Sequence, residues 1–340
     1  MFTEGKIGSM KTVNRFIRSA TAEFGANSDG TITKHYFDLY NQLAMSEIGI
    51  IIQGHLYISE EGKAHEGMAG ITNKTQMEKL RQLTEMIHSS GSFSKIIAQL
   101  NHGGIYSVSK KAPSLREDKN SVEMTDEDIE EVISNFKSAS RQAKIAGYNA
   151  IQIHAAHGYL ISQFLSTRSN KREDRWGGTL ENRVSLLLDV YHSIRDVVGN
   201  NFPILVKMNG SDDPIDGFPL KEGAQVAKWL AEEGLNALEV SGMKSTRKIV
   251  EPENTYFVPF AREIKKVVGD MPISVVGGFR FFSTIQQYRD EFADYISLSR
   301  PFIREPDLIL KFKKGKKGAD CITCNKCFNV EDIVKCRAED

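Results

Sequence analysis

Short apolar runs rich in β-branched residues alternate with amphipathic segments along most of the chain. The runs fall at Val13 to Ser19, Ile48 to Gly54, Lys95 to Asn101, Ala150 to Ala155, Ile204 to Asn209, Ala237 to Ser241, Ile273 to Gly277 and Tyr295 to Arg300. Each has the length of a strand. Between them, helical spacing recurs in Lys34 to Ser46, Gln76 to Ser89, Asp126 to Ala146, Glu181 to Val198, Lys221 to Glu233, Phe260 to Val268, Thr284 to Glu291 and Pro306 to Lys313. Thr125 followed by Asp128 predicts a capping box, and Gly147, Gly199, Gly234 and Gly269 each stand where a helix would stop. Ile48-Gly49-Ile50-Ile51-Ile52 is almost continuously apolar, which suits a parallel strand covered on both faces. Eight strands in strict alternation with helices predict an α/β fold, a (β/α)8 TIM barrel, with an open doubly wound sheet as the competitor. Ile7-Gly8-Ser9-Met10 predicts the turn of a short hairpin that plugs the N-terminal end of the barrel.

Charge adds mainly exclusions. Among 340 residues, 44 Lys and Arg balance 44 Asp and Glu. Zero net charge points away from nucleic acid or an anionic membrane as partner. No uncharged apolar run approaches the ~20 residues of a membrane span, and Met1 to Arg18 lacks the apolar stretch of a signal peptide. A cytoplasmic location is therefore expected. The four cysteines all lie after residue 320, which excludes a disulfide framework for the main fold. They divide the chain into a barrel, 1–315, and a tail, 316–340. Cys321, Cys324, Cys327 and Cys336 give C-x2-C-x2-C-x8-C, a spacing that predicts a bound metal, as structural zinc or an iron–sulfur cluster.

Active sites of barrel enzymes are built at the C-terminal ends of the strands. In this chain those ends carry Ser19-Ala20-Thr21, Gln53-Gly54-His55, Gln99 to Gly104, His154 to Tyr159, Lys207 and Asn209, Ser241-Gly242, Gly277-Gly278 and Ser299-Arg300. Long connections follow the third, fourth and sixth strands, as functional loops do. Gly277 and Gly278 allow close backbone approach, and Ser299 with Arg300 adds a hydroxyl and a cation. Together they predict a phosphate site at strands seven and eight. His154, His157 and Tyr159 can converge N–H and O–H groups on one substrate atom, as an oxyanion hole or as part of a metal site.

From about Asn14 to Lys311 the chain resembles the Old Yellow Enzyme family of FMN-dependent NAD(P)H:flavin oxidoreductases. The resemblance is carried by the runs Ile151 to Leu160, Gln163 to Ser166, Ser169 to Gly178 and Glu181-Asn182-Arg183. It is supported by Asn14-Arg15, Ala98 to Gly104 and Ser299-Arg300-Pro301. It implies FMN across the barrel mouth. Ser19, Ala20 and Thr21 would meet the flavin edge, Gly54 would pack close to it, and Gln99 would bond the pyrimidine ring. Lys207 would place positive charge near N1 and O2, and Gly277, Gly278, Ser299 and Arg300 would hold the phosphate. The implied chemistry is hydride transfer from NAD(P)H through FMN to the activated C=C bond of an α,β-unsaturated carbonyl or similar acceptor. His154 and His157 would hold the carbonyl oxygen, and Tyr159 would supply a proton. The chain departs from the family pattern at Ala22, where Thr or Cys is common, at Lys207 for Arg, and at Thr167 for Pro.

Larger relatives, similar to 2,4-dienoyl-CoA reductase and trimethylamine dehydrogenase, carry a [4Fe–4S] cluster on a comparable cysteine run. The resemblance therefore favours [4Fe–4S] over zinc on Cys321, Cys324, Cys327 and Cys336. As the chain ends at Asp340 without the further domains of those relatives, electrons are expected from a soluble donor or another subunit. Three alternatives stay open: an iron–sulfur flavoprotein exchanging electrons with ferredoxin or a partner subunit, a barrel that binds ligands without catalysis, and a metal-dependent hydrolase using His154 and His157. Ile105, Tyr106, Arg247, Tyr256 and Phe257 are candidate pocket residues. The acceptor, the choice of NADH or NADPH and any homo-oligomer stay open. Arg172 and Asp174 are expected to tie the fourth loop to the barrel rim.

Overall fold

Strands covered outside by helices and filled inside by side chains need residues suited to burial on both faces. In the computed structural model, which describes residues 1–212, 217–243, 255–328 and 333–338, the predicted runs meet that demand. They form β1 (Phe16–Arg18), β2 (Ile50–Tyr57), β3 (Lys95–Asn101), β4 (Ala150–Ala155), β5 (Ile204–Asn209), β6 (Ala237–Ser241), β7 (Ile273–Val276) and β8 (Tyr295–Leu298). Each is parallel to the next, and β8 pairs with β1, closing the barrel and eliminating the open sheet. The outer layer follows as α1 (Lys34–Met45), α2 (Lys74–Ser89), α3 (Asp126–Ile145), α4 (Leu180–Val198), α5 (Leu220–Glu232), α6 (Val258–Lys265), α7 (Phe282–Glu291) and α8 (Leu308–Lys313). Thr125 and Asp128 form the predicted capping box at the start of α3.

Inward-facing positions recur every second residue along each strand, and their chemistry changes with height. At the N-terminal end they are apolar: Ile17, Ile50, Ile52, Ile97, Ala150, Leu205 and Ala237, with Tyr295. The predicted hairpin, Gly5–Ile7 paired with Met10–Thr12, inserts Ile7 and Met10 into this layer as a plug. The next inward positions are polar, among them Gln99, Gln152, Lys207, Glu239, Ser274 and Ser297, all buried. Above them His154, Asn209 and Ser241 reach the C-terminal rim.

The loops hold more structure than periodicity indicates. The third contains a parallel pair, Lys111–Ala112 with Val122–Glu123. The fourth contains a buried helix, Leu160–Leu165. Arg172 donates from Nη1 to the Pro113 and Met124 carbonyls at 3.2 and 2.6 Å while its Nε holds Asp174. The fourth loop is thus tied to the third loop. The tail returns to the barrel: the Ala319 amide donates to the Arg280 carbonyl and the Val334 amide to the Glu23 carbonyl, both at 2.9 Å. Arg247 lies outside the described residues. No helix among the described residues is long and apolar enough to cross a membrane.

Candidate active site

The polar strand ends surround one cavity of about 310 Å³ at the C-terminal mouth. Ser19, Ala20, Thr21, Gln99, His154, His157, Tyr159, Lys207, Gly277, Ser299 and Arg300 all line it. With His55 and Ser241, which line it too, residues from all eight barrel strands and the loops that follow them meet at one place. Gly278 faces an adjoining recess shared with Gly277, Ser299, Arg300 and Thr323. Gly54 is not in the wall. A Cβ there would collide with the Glu23 carboxylate and the Thr21 carbonyl, so the close approach this glycine allows is to the protein itself. Of the other candidate pocket residues, Tyr256 and Phe257 reach the cavity, while Ile105 and Tyr106 line a neighbouring one.

Beneath the cavity the polar layer is one connected set. The Gln99 amide donates to Gln152 Oε1 at 2.7 Å, and the Gln152 amide donates to Glu239 Oε2 at 3.0 Å. That oxygen lies 3.6 Å from Lys207 Nζ, which donates to Ser19 Oγ at 2.7 Å. Burial lowers the Lys207 pKa, and the neighbouring Glu239 carboxylate opposes that shift.

Beside this set, starting from His154 as the ladder partner of Lys207, stands a cluster of rings. His154 and Tyr159 have centroids 5.0 Å apart, and His154 and His157 lie 5.2 Å apart in edge-to-face contact. Burial depresses the histidines, His157 to about 3 and His154 well below its usual value, so both imidazoles are neutral at pH 7. His154 Nδ1 accepts the Ala156 amide at 3.3 Å, which leaves the proton on Nε2. His157 holds a left-handed backbone, φ 63°, fixed by its amide to Asn209 Oδ1 at 3.1 Å and by a 2.8 Å Nε2 contact with Ser241 Oγ. Burial raises Tyr159 to about 12 and keeps its phenol protonated.

Several functional neighbours escape sequence reading. His55 lines the cavity beside Tyr159, with ring centroids 5.2 Å apart, and its Nε2 meets His65 Nε2 at 3.0 Å. Its position at a strand end was the available signal, but nothing in the sequence pairs it with His65. Glu23 is buried behind the wall, where Arg18 Nη2 at 2.8 Å and the Tyr40 hydroxyl at 2.7 Å both donate to Oε1. This pair braces the Ser19 to Thr21 segment, which Thr21 Oγ1 also ties to Ser299 Oγ at 2.8 Å.

The metal site predicted on the tail is not confirmed. Cys321, Cys324, Cys327 and Cys336 line one small cavity with Arg300 and Arg304, but among the described residues no three His, Cys, Asp or Glu side chains are grouped so as to hold a metal ion. The tail also reaches the main cavity: Phe328 lines its wall, and Arg300 Nη1 donates to Asn325 Oδ1 at 2.6 Å.

The chain is similar to known proteins over most of its length. The profile of the family described as "NADH:flavin oxidoreductase / NADH oxidase family" matches residues 1–318. An NADH oxidase of Thermoanaerobacter brockii is 32% identical, covering 96% of this chain and 52% of that protein. The chain thus spans about half the length of that relative. An NADPH dehydrogenase of Listeria welshimeri is 34% identical, covering 90% of this chain and 92% of that protein. The solved structure of an old yellow enzyme homologue from Zymomonas mobilis has a TM-score of 0.82 at 28% identity and covers 95% of both chains.

Proposed function

The chain belongs to the NADH:flavin oxidoreductase / NADH oxidase family, and from that premise we propose that it holds FMN across the barrel mouth. There it would carry hydride from NAD(P)H to the activated C=C bond of an α,β-unsaturated carbonyl. The observation that carries this reading is one cavity lined by two unlike sets of side chains: Lys207, Gln99, Gly277, Ser299 and Arg300, and the ring cluster of His154, His157 and Tyr159.

The residues fit the group. Gly277, at φ 109°, has no Cβ to press on Phe257 and leaves backbone exposed beside Ser299 and Arg300, as a phosphate requires. Lys207 and Gln99 would face the ring, and Ser19, Ala20 and Thr21 its edge. FMN, when bound, supplies the two-electron carrier that these side chains lack. His154, with its proton on Nε2, and His157, neutral beside Ser241, would orient the acceptor's carbonyl oxygen and stabilise charge developing there. Tyr159 stays protonated at neutral pH and would give its proton to the α-carbon. Phe257 and Tyr256 narrow the mouth against water.

The test is an absorption spectrum of protein purified without oxygen, followed by mixing with NADH, NADPH and an enone. Flavin absorption near about 450 nm, bleached by either nucleotide and restored by the enone, is expected. Protein that stays colourless after FMN addition refutes the reading.

The tail favours a second reading, an iron–sulfur flavoprotein passing electrons to ferredoxin or a partner subunit. Its support is placement: Phe328, next to Cys327, lines the flavin cavity, and Arg300 borders both cavities. Cys321, Cys324, Cys327 and Cys336 would hold a [4Fe–4S] cluster, which supplies one-electron chemistry. Stoichiometric iron and acid-labile sulfide support this reading, whereas zinc would leave the tail structural.

A further inference from the structure

The mechanism above leaves the buried charge of Glu239 unused. Glu239 on β6 is the direct ladder partner of Lys207 on β5 and is only 1% exposed. Its Oε2 receives the Gln152 amide at 3.0 Å and faces Lys207 Nζ at 3.6 Å, while its Oε1 has no hydrogen-bond partner. A buried charge without compensation is costly, so each member of this pair makes the other tolerable. The pair is not isolated in the barrel. Lys207 also donates to Ser19 at the cavity wall, and Gln152 receives the amide of Gln99, another wall residue. The carboxylate is thus wired to both side chains proposed to meet the flavin's pyrimidine end.

We infer that Glu239 is a positioning residue that sets the charge this end of the cavity presents. It fixes Lys207 and cancels part of its field, and so lowers the potential at which the bound flavin accepts electrons. The inference rests on the FMN reading above. The sign follows from electrostatics: reduction adds negative charge to the ring, and a nearby carboxylate opposes it.

The test is the midpoint potential of protein-bound FMN at pH 7, by anaerobic dye equilibration, in wild type and Glu239→Gln. The substitution keeps the shape and removes the charge, and its carbonyl oxygen can still accept the Gln152 amide. The expected result is at least a tenfold gain in preference for reduced over oxidised FMN, an upward shift of about 30 mV for a two-electron couple. A potential unchanged to within about 10 mV, or one that falls, overturns the inference, since a purely structural Glu239 would not move it in this direction. Should Glu239→Gln not fold, Glu239→Asp keeps the charge but draws it back from Lys207. Its potential should rise by part of that shift, and a potential equal to that of wild type overturns the inference. Failure of wild type to bind FMN removes the FMN reading itself, a result distinct from bound FMN with an unmoved potential.

Discussion

The two ends of the barrel interior are built from the same alternating strands and differ in what those strands point inward. At the N-terminal end, Ile17, Ile50, Ile52, Ile97 and Leu205 close around the Ile7 and Met10 plug. At the C-terminal end the same period delivers Lys207, Glu239, Gln152, His154 and Ser241, buried almost as completely. The first end is held by apolar contact, which is indifferent to pH. The second is held by hydrogen bonds and the buried ion pairs Arg18–Glu23 and Lys207–Glu239, which depend on protonation. Apolar packing is concentrated at one end and polar, titratable groups at the other, within a single closed sheet.

The difference should be widest in acid. Burial lowers His157 to about 3 and His102 to about 4, and pushes His55 and His154 well down. An unfolded histidine titrates near 6.5. Between that value and the depressed folded ones, the unfolded chain binds more protons, so stability is full above about pH 6.5 and falls as the pH drops. Each such histidine contributes a slope of at most about 1.4 kcal/mol per pH unit. Urea unfolding of the apoprotein from pH 7.5 to 5 should show a loss of several kcal/mol. A flat profile would mean that the rim is not buried as described.

The floor should respond oppositely. Ile97→Ala empties part of the apolar layer and should cost about 2–5 kcal/mol at every pH, with the KM for the acceptor unchanged. Tyr159→Phe should do the reverse. It should leave stability and flavin reduction by NAD(P)H nearly intact and slow enone reduction about a hundredfold, equivalent to about 2.7 kcal/mol in the barrier. Stopped-flow measurement of the two half-reactions separates these outcomes. Equal slowing of both would remove Tyr159 from the acceptor's proton path.

Much of this contrast is legible in the sequence, for a physical reason. Parallel strands need apolar outer faces, so β3, β4, β5 and β6 appear as runs whose predicted and observed limits coincide. β1 is shorter than Val13 to Ser19 because Asn14 interrupts it. The Asn14 Oδ1 accepts the Phe16 and Gly49 amides, and a side chain used this way marks a strand's entrance. The helix Leu160–Leu165 leaves no amphipathic trace because all six of its residues are buried. At the site, residue types at strand ends identify the candidates, but pairings across the barrel do not show in spacing. Glu239 meets Lys207 across the ladder and His55 on β2 meets His65 in the loop that follows it, and no local pattern encodes either contact. Gly54 shows the converse error. A glycine at a strand end suggests a nearby ligand, whereas here it makes room for Glu23.

The smallest expected effect probes how the plug is held. Thr12, at the end of the hairpin, shares a buried 3.0 Å hydrogen bond with the Tyr295 hydroxyl at the start of β8. It is a polar contact in an otherwise apolar layer. Thr12→Val keeps the shape and removes the bond, leaving the phenol without that partner. A lost neutral hydrogen bond of this kind costs about 1 kcal/mol. If the plug is held mainly by Ile7 and Met10, the loss should stop there, with the midpoint in urea lowered and FMN affinity unchanged. A loss as large as that of Ile97→Ala would show that the hairpin is anchored by this bond. The N-terminal end would then depend on polar contacts as the mouth does, and the contrast between the two ends would fail at its apolar side.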